Sequence, residues 1–209
     1  VGAEIALEPD AQLMLEVRAG DVASFELLLA KYRGPLVGYI GRMVGDQARA
    51  EELAQEAFLR VYRARESYEP TAKFATWLYR IATRLALNSI RDHRHEAGRR
   101  SLDDSADGRL VFEAVDGRAN REQQLLAEAR LATVREAIAQ LPDKQRAAVL
   151  MHKYQELDYQ QIAGALGCSV SAVKSLLFRA YESLRQRLAH LAAQPRPASA
   201  TSPQGGASQ

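Results

Sequence analysis

One cysteine, Cys168, stands in 209 residues, so no intramolecular disulfide can form and no cysteine-based zinc site can be assembled. The four histidines have no ligand spacing, and neither a phosphate-cradling glycine loop nor a nucleophile signature appears. No metal, cofactor or enzymatic activity is therefore expected. Long apolar runs are missing too: none approaches the ~20 residues that a membrane helix needs, so direct membrane insertion is not expected. The start, Val1-Gly2-Ala3-Glu4, lacks the basic and apolar stretches of a secretory signal. Together with the lone thiol this points to a reducing cytoplasm. Nor is there an excess of one charge, because 28 Lys and Arg face 26 Asp and Glu for a net +2. A total that small does not announce a nucleic-acid binder, and any electrostatic argument rests on where the charges sit.

Strand signals are scarce as well. Apolar positions recur at three and four residues, and no alternating Val/Ile/Thr-rich run survives. The chain reads as all-α: two small helical domains joined by a flexible acidic linker, the C-terminal one containing a helix-turn-helix. The divisions fall at 1–10, an N-terminal arm; 11–95, the first domain; 96–122, the linker; 123–191, the second domain; and 192–209, a tail expected to be disordered. Within the first domain a helix is expected from about Ala11 to Arg18, and another after the N-cap candidate Asp21. Gly34-Pro35 punctuates that second helix before it resumes at Leu36. Asp46 to about Arg65 and Ala72 to His93 are longer amphipathic helices. The linker holds Asp103, Asp104, Asp107, Glu113 and Asp116 against Arg109.

Tyr159 to Leu188 carries the helix-turn-helix. Ile162, Ala163 and Leu166 share one face, Gly167 sits where a left-handed turn is wanted, and a second helix begins near Ser171. Small Ala163 allows a close helix crossing. Val170, Val173, Leu176, Leu177, Ala180, Leu184 and Leu188 form the buried stripe, leaving Ser171, Lys174, Ser175, Phe178 and Arg179 outward. Lysine and arginine reach phosphates or guanine edges, hydroxyls donate to either, and an exposed Phe meets thymine methyls. The bland alternative is a helical hairpin with a solvated charged face. Small residue, turn glycine and apolar positions in register favour DNA binding.

On the Asp46 helix, Ala50, Ala54, Ala57, Phe58 and Val61 face inward, while Glu51, Glu52, Gln55, Glu56 and Leu59 face outward. By itself that outer face reads as solvated, its early acids favoured by the helix dipole. The next helix is more telling, since Arg80, Arg84, Asn88 and Arg91 recur as one polar stripe. Guanidinium groups hold phosphates and an amide reads a base edge. Tyr68, Phe74, Trp77 and Tyr79 nearby offer rings for an unstacked base, although Phe74 and Trp77 are equally suited to the core.

The stretch Asp46-Gln47-Ala48-Arg49-Ala50-Glu51-Glu52-Leu53-Ala54-Gln55-Glu56-Ala57-Phe58-Leu59-Arg60-Val61-Tyr62-Arg63, then Phe74-Ala75-Thr76-Trp77-Leu78-Tyr79-Arg80-Ile81-Ala82, then the helices after Leu141-Pro142, resemble the extracytoplasmic-function sigma factors of bacterial RNA polymerase, in order, over about residues 11 to 190. The resemblance implies that residues 11–95 are sigma region 2 and 123–191 sigma region 4. It implies that Glu52, Leu53, Gln55, Glu56 and Leu59 meet the clamp helices of the polymerase β′ subunit, displacing the solvated-face reading. It assigns Tyr68, Lys73, Phe74, Arg80, Arg84, Asn88 and Arg91 to the minus-10 element. Ser171, Lys174, Ser175, Phe178 and Arg179 fall to the minus-35 element, with the C-terminal domain packing on the β-flap. By the same resemblance the acidic linker threads toward the RNA exit path, and an anti-sigma partner, commonly membrane-tethered, is implied. A stand-alone helix-turn-helix regulator and a protein-binding adaptor are the rival readings.

Overall fold

The computed structural model describes residues 8–100 and 121–192, and all regular structure among them is helical. Helix α1 spans Pro9–Arg18, α2 Val22–Val44 and α3 Gln47–Arg63; a 3-10 turn, Arg65–Ser67, leads to α4, Phe74–Arg100. The second half holds α5, Arg121–Ala139; α6, Asp143–Tyr154; α7, Tyr159–Leu166; and α8, Val170–Ala192.

The expected N-terminal arm is shorter than 1–10. Proline suits a first helical position, so α1 starts at Pro9. The carboxylate of Asp10 lies buried and accepts from Lys31 Nζ at 2.6 Å and Tyr32 Oη at 2.5 Å, pinning α1 to α2. The expected break at Gly34-Pro35 does not occur either, and Pro35 lies inside a continuous α2. Leu28 on one side of the proline, and Leu36, Tyr39, Ile40 and Met43 on the other, are fully buried in one core. That packing outweighs the missing N–H. The helix ends at Gly45, whose φ of 83° is the left-handed conformation glycine adopts freely, and Asp46 caps α3 by accepting from the Arg49 N–H at 3.0 Å.

Helix α4 runs past the expected His93 to Arg100, and α5 begins at Arg121, so both ends of the expected linker are helical. Its acidic centre and the tail from residue 193 lie outside the described residues. In α6 five consecutive residues, Ala147 to Met151, are buried. A helix buried on all sides must be sandwiched, and α6 packs on α7 and α8 in its own half and on α2 in the other. Helix α4 likewise packs on α7. The two halves therefore meet directly.

Candidate nucleic-acid interface

The turn between α7 and α8 is built locally. Asp158 Oδ1 accepts from the Gln161 N–H at 2.8 Å while Gln161 Oε1 accepts from the Asp158 N–H at 2.9 Å, a reciprocal cap that starts α7. Gly167, at φ 63°, ends it, with the Cys168 N–H returning to the Ala163 carbonyl at 3.0 Å. Ser169 Oγ then accepts from the Ala172 N–H at 3.2 Å to start α8, which leaves α7 at an angle of 98°, within the range of helix-turn-helix pairs. Val173, Leu177 and Ala180 are buried, whereas Ser171, Lys174, Ser175, Phe178 and Arg179 are all exposed, Phe178 at 72%. A phenylalanine that exposed has no packing role inside its own domain.

The α4 stripe is equally clear. Lys73, Arg80, Arg84, Asn88 and Arg91 are exposed, and among the described residues Arg80 and Arg84 form no ion pair. Beside them a cavity of about 370 Å³ is lined by Ser67, Tyr68, Thr71, Thr76, Trp77 and Arg80. Two of the expected DNA contacts belong instead to the core. Phe74 is 0% exposed, packed against Tyr32 at 5.3 Å and Trp77 at 6.1 Å. Tyr68 is buried with its ring 5.0 Å from that of Trp77, and burial pushes its phenol up to about 12. Tyr68 still lines the cavity; Phe74 does not.

On α3 the expected partner-facing set divides. Glu52, Gln55 and Leu59 are exposed and Glu56 is half-exposed, paired to Arg60 at 2.7 Å, but Leu53 is 6% exposed. Leu53 sits three residues after Ala50 and four before Ala57, on the buried stripe, so its surface role is corrected by the helix's own periodicity. What the residues of α3 alone did not reveal is a groove of about 670 Å³ between α2 and α3. Phe25, Leu29, Arg33 and Val37 form one wall, and Gln55, Phe58, Leu59 and Tyr62 the other. At helical spacing Phe25 and Leu29 look like ordinary core positions, and nothing local to α2 shows that α3 leaves a groove beside them.

A groove-bearing helical module joined to a helix-turn-helix module, each with an exposed basic face, defines a DNA-engaging transcription factor. Comparison with known proteins gives the family. The family described as Sigma-70 region 2 matches residues 28–96, and Sigma-70, region 4 matches residues 131–184. The RNA polymerase sigma-H factor of Pseudomonas aeruginosa is 37% identical over 186 residues, covering 87% of this chain and 94% of the relative. The ECF sigma-E factor of Escherichia coli K12 is 31% identical, covering 86% and 94%. The chain belongs to the extracytoplasmic-function sigma factors of the sigma-70 family. It binds core RNA polymerase and directs promoter-specific initiation; the stand-alone regulator is not favoured. Among solved structures, the fold is shared with CnrH in complex with the cytosolic domain of CnrY (TM-score 0.63, 21% identity, covering 88% and 99%). It is also shared with RpoE in complex with the anti-sigma factor NepR from Bartonella quintana (TM-score 0.65, 19% identity, covering 80% and 98%). No single helix among the described residues is long and apolar enough to cross a membrane.

Proposed function

We propose that the sigma-factor task is divided among three surfaces. The α2/α3 groove, with Gln55 and Leu59 on its rim and Glu52 and Glu56 flanking it on α3, receives the β′ clamp helices. Its apolar floor matches the stripe of an amphipathic helix. Arg80, Arg84, Asn88 and Arg91, with Lys73 at the start of α4 and the cavity beside Tyr68, hold the non-template strand of the minus-10 element as it melts. Ser171, Lys174, Ser175, Phe178 and Arg179 read the minus-35 element in the major groove, and the C-terminal module packs on the β-flap.

Exposed Arg80 and Arg84, which form no ion pair among the described residues, carry this reading. An α-helical adaptor that bound only protein would have no use for three guanidinium groups and an amide in one line, whereas a melted strand offers phosphates and base edges at that spacing. The modest net charge fits weak DNA affinity until polymerase holds both modules, since linked weak sites gain affinity only when geometry allows both to engage. An anti-sigma protein, in the membrane-tethered form common in the family, is the regulatory partner in this reading; among the structural neighbours, RpoE is seen in complex with the anti-sigma factor NepR, and CnrH with the cytosolic domain of CnrY.

In vitro transcription with core RNA polymerase on a randomised promoter library tests the division. Charge reversal of Arg80 and Arg84 is expected to leave polymerase binding intact and reduce open-complex formation at least tenfold. Unchanged open-complex formation would remove the α4 stripe from the mechanism.

A further inference from the structure

The cavity beside Arg80 is shaped by a helix that does not line it. One wall comes from the 3-10 turn and the loop after it, with Ser67, Tyr68 and Thr71, and the other from the start of α4, with Thr76, Trp77 and Arg80. Among the described residues, none of α1 contributes to either wall. Helix α1 nevertheless grips the chain on both sides of the loop. Arg18, its last residue, donates from Nη1 to the Tyr68 carbonyl at 3.2 Å. Glu8, the residue ahead of it, accepts the Phe74 N–H through Oε2 at 3.1 Å.

Both contacts join a charged side chain to a backbone group, so they are charge-assisted and independent of the side chains that the loop presents. They fix its path and leave its surface free. Helix α1 is a firm base for them, because Met14 and Val17 are buried and Asp10 is tied to Lys31 and Tyr32. Its ten residues make a rod about 15 Å long, while the six steps from Tyr68 to Phe74 reach about 20 Å at full stretch. A segment tied near both ends of such a rod has little slack. Arg18 therefore fixes the wall that carries Tyr68, and Glu8 fixes where α4 begins and so the wall that carries Trp77 and Arg80.

We propose that α1 positions the minus-10 reader: Arg18 and Glu8, without touching DNA, hold the loop between them in the shape that lets the cavity tell one base from another. The proposal rests on the assignment of that cavity to the melted minus-10 strand. Both are positioning residues, and their loss blunts sequence preference. A phosphate contact by exposed Arg18 would act differently, weakening every promoter alike because phosphates carry no sequence information.

Trp77 is the only tryptophan of the chain, half-buried with its ring 5.0 Å from that of Tyr68, so it reports on the loop without DNA. Arg18→Met keeps the stem and removes the donor; Glu8→Ala removes the acceptor and Glu8→Gln supplies one again. In the full chain, Arg18→Met and Glu8→Ala are each expected to make Trp77 more readily quenched by acrylamide. With core polymerase, each is expected to lower by about fivefold or more the preference for the minus-10 sequence that the parent selects from the randomised library over its single-base variants. Minus-35 preference should stay as in the parent, and Glu8→Gln should return both readings to parent values. Unchanged quenching in Arg18→Met and Glu8→Ala overturns the positioning role, and with a uniform loss over all promoters it makes Arg18 a phosphate contact. Raised quenching with minus-10 preference intact keeps the anchors but overturns the reading role, and it is then the assignment of the cavity that fails.

Discussion

Glu8 and Phe74 are 66 residues apart, yet Glu8 Oε2 accepts the Phe74 backbone N–H at 3.1 Å. The residue ahead of α1 thus caps α4, the helix carrying the arginine stripe, and a negative charge is placed where the helix dipole favours it. Glu8→Ala is expected to cost about 1 kcal/mol of stability in urea denaturation, with Glu8→Gln losing less. Equal stability of Glu8→Ala and the parent would show the cap to be dispensable.

The Tyr68 hydroxyl is buried without a hydrogen-bond partner among the described residues. Deleting an unsatisfied polar atom while keeping the ring removes a desolvation cost, so Tyr68→Phe is expected to melt at the same temperature as the parent or a few degrees higher. Its ring packing on Trp77 and its place in the cavity wall are retained, and transcription should be preserved. A drop in activity without a drop in melting temperature would assign the hydroxyl a direct contact with DNA.

Leu53 and Leu59 separate folding from docking on one helix. Leu53→Ala empties a core position and is expected to cost about 2–5 kcal/mol of stability. Leu59 is 47% exposed on the groove, so Leu59→Asp should leave the urea midpoint unchanged and weaken core polymerase binding at least tenfold. Quantitative pull-down alongside denaturation distinguishes the two.

For the recognition helix, Lys174→Ala and Arg179→Ala are each expected to weaken binding to a cognate promoter by about 1–3 kcal/mol where the side chain meets a base edge. A phosphate contact would instead weaken all sequences alike and flatten the salt dependence. Competition between promoters of differing minus-35 sequence tells these apart.

Alkaline pH acts through the tyrosines. Tyr32, Tyr39 and Tyr79 are held above the ordinary phenol range chiefly by burial, as is Tyr68, at about 12. An unfolded tyrosine ionises near pH 10, so above that the folded state binds more protons than the unfolded one. Their contribution is complete below pH 10 and is lost as pH rises toward and past 12. The urea midpoint should hold to about pH 9.5 and then fall, with absorbance at 295 nm showing some phenols ionising only on unfolding. Tyr68→Phe should fall less steeply.

Much of this was readable in the residues. Ile162, Ala163, Gly167, Val173 and Leu177 lie at the spacing of a helix-turn-helix, and the structure buries or turns the chain at each. The α4 stripe is exposed where the periodicity put it. Leu53 was legible in principle, since its spacing from Ala50 and Ala57 is inward, but the inward stripe read from the sequence omitted it and the family resemblance placed it at the surface. The continuity of α2 through Pro35 was not legible, because a local signal for a break was outweighed by core contacts from Leu28 to Met43 that no local window contains.

The amino-acid order by itself therefore determined the helices, their buried faces and the outward basic residues of α4 and α8, because a period of 3.6 residues is a local property. Tertiary structure alone decided which helix meets which. The α2/α3 groove needs Phe25 and Leu29 brought opposite Leu59, and the closure of the helix-turn-helix on the first module depends on Gly164 meeting Thr76. Periodicity shows that a face is apolar or small, and only packing selects the neighbour that covers it.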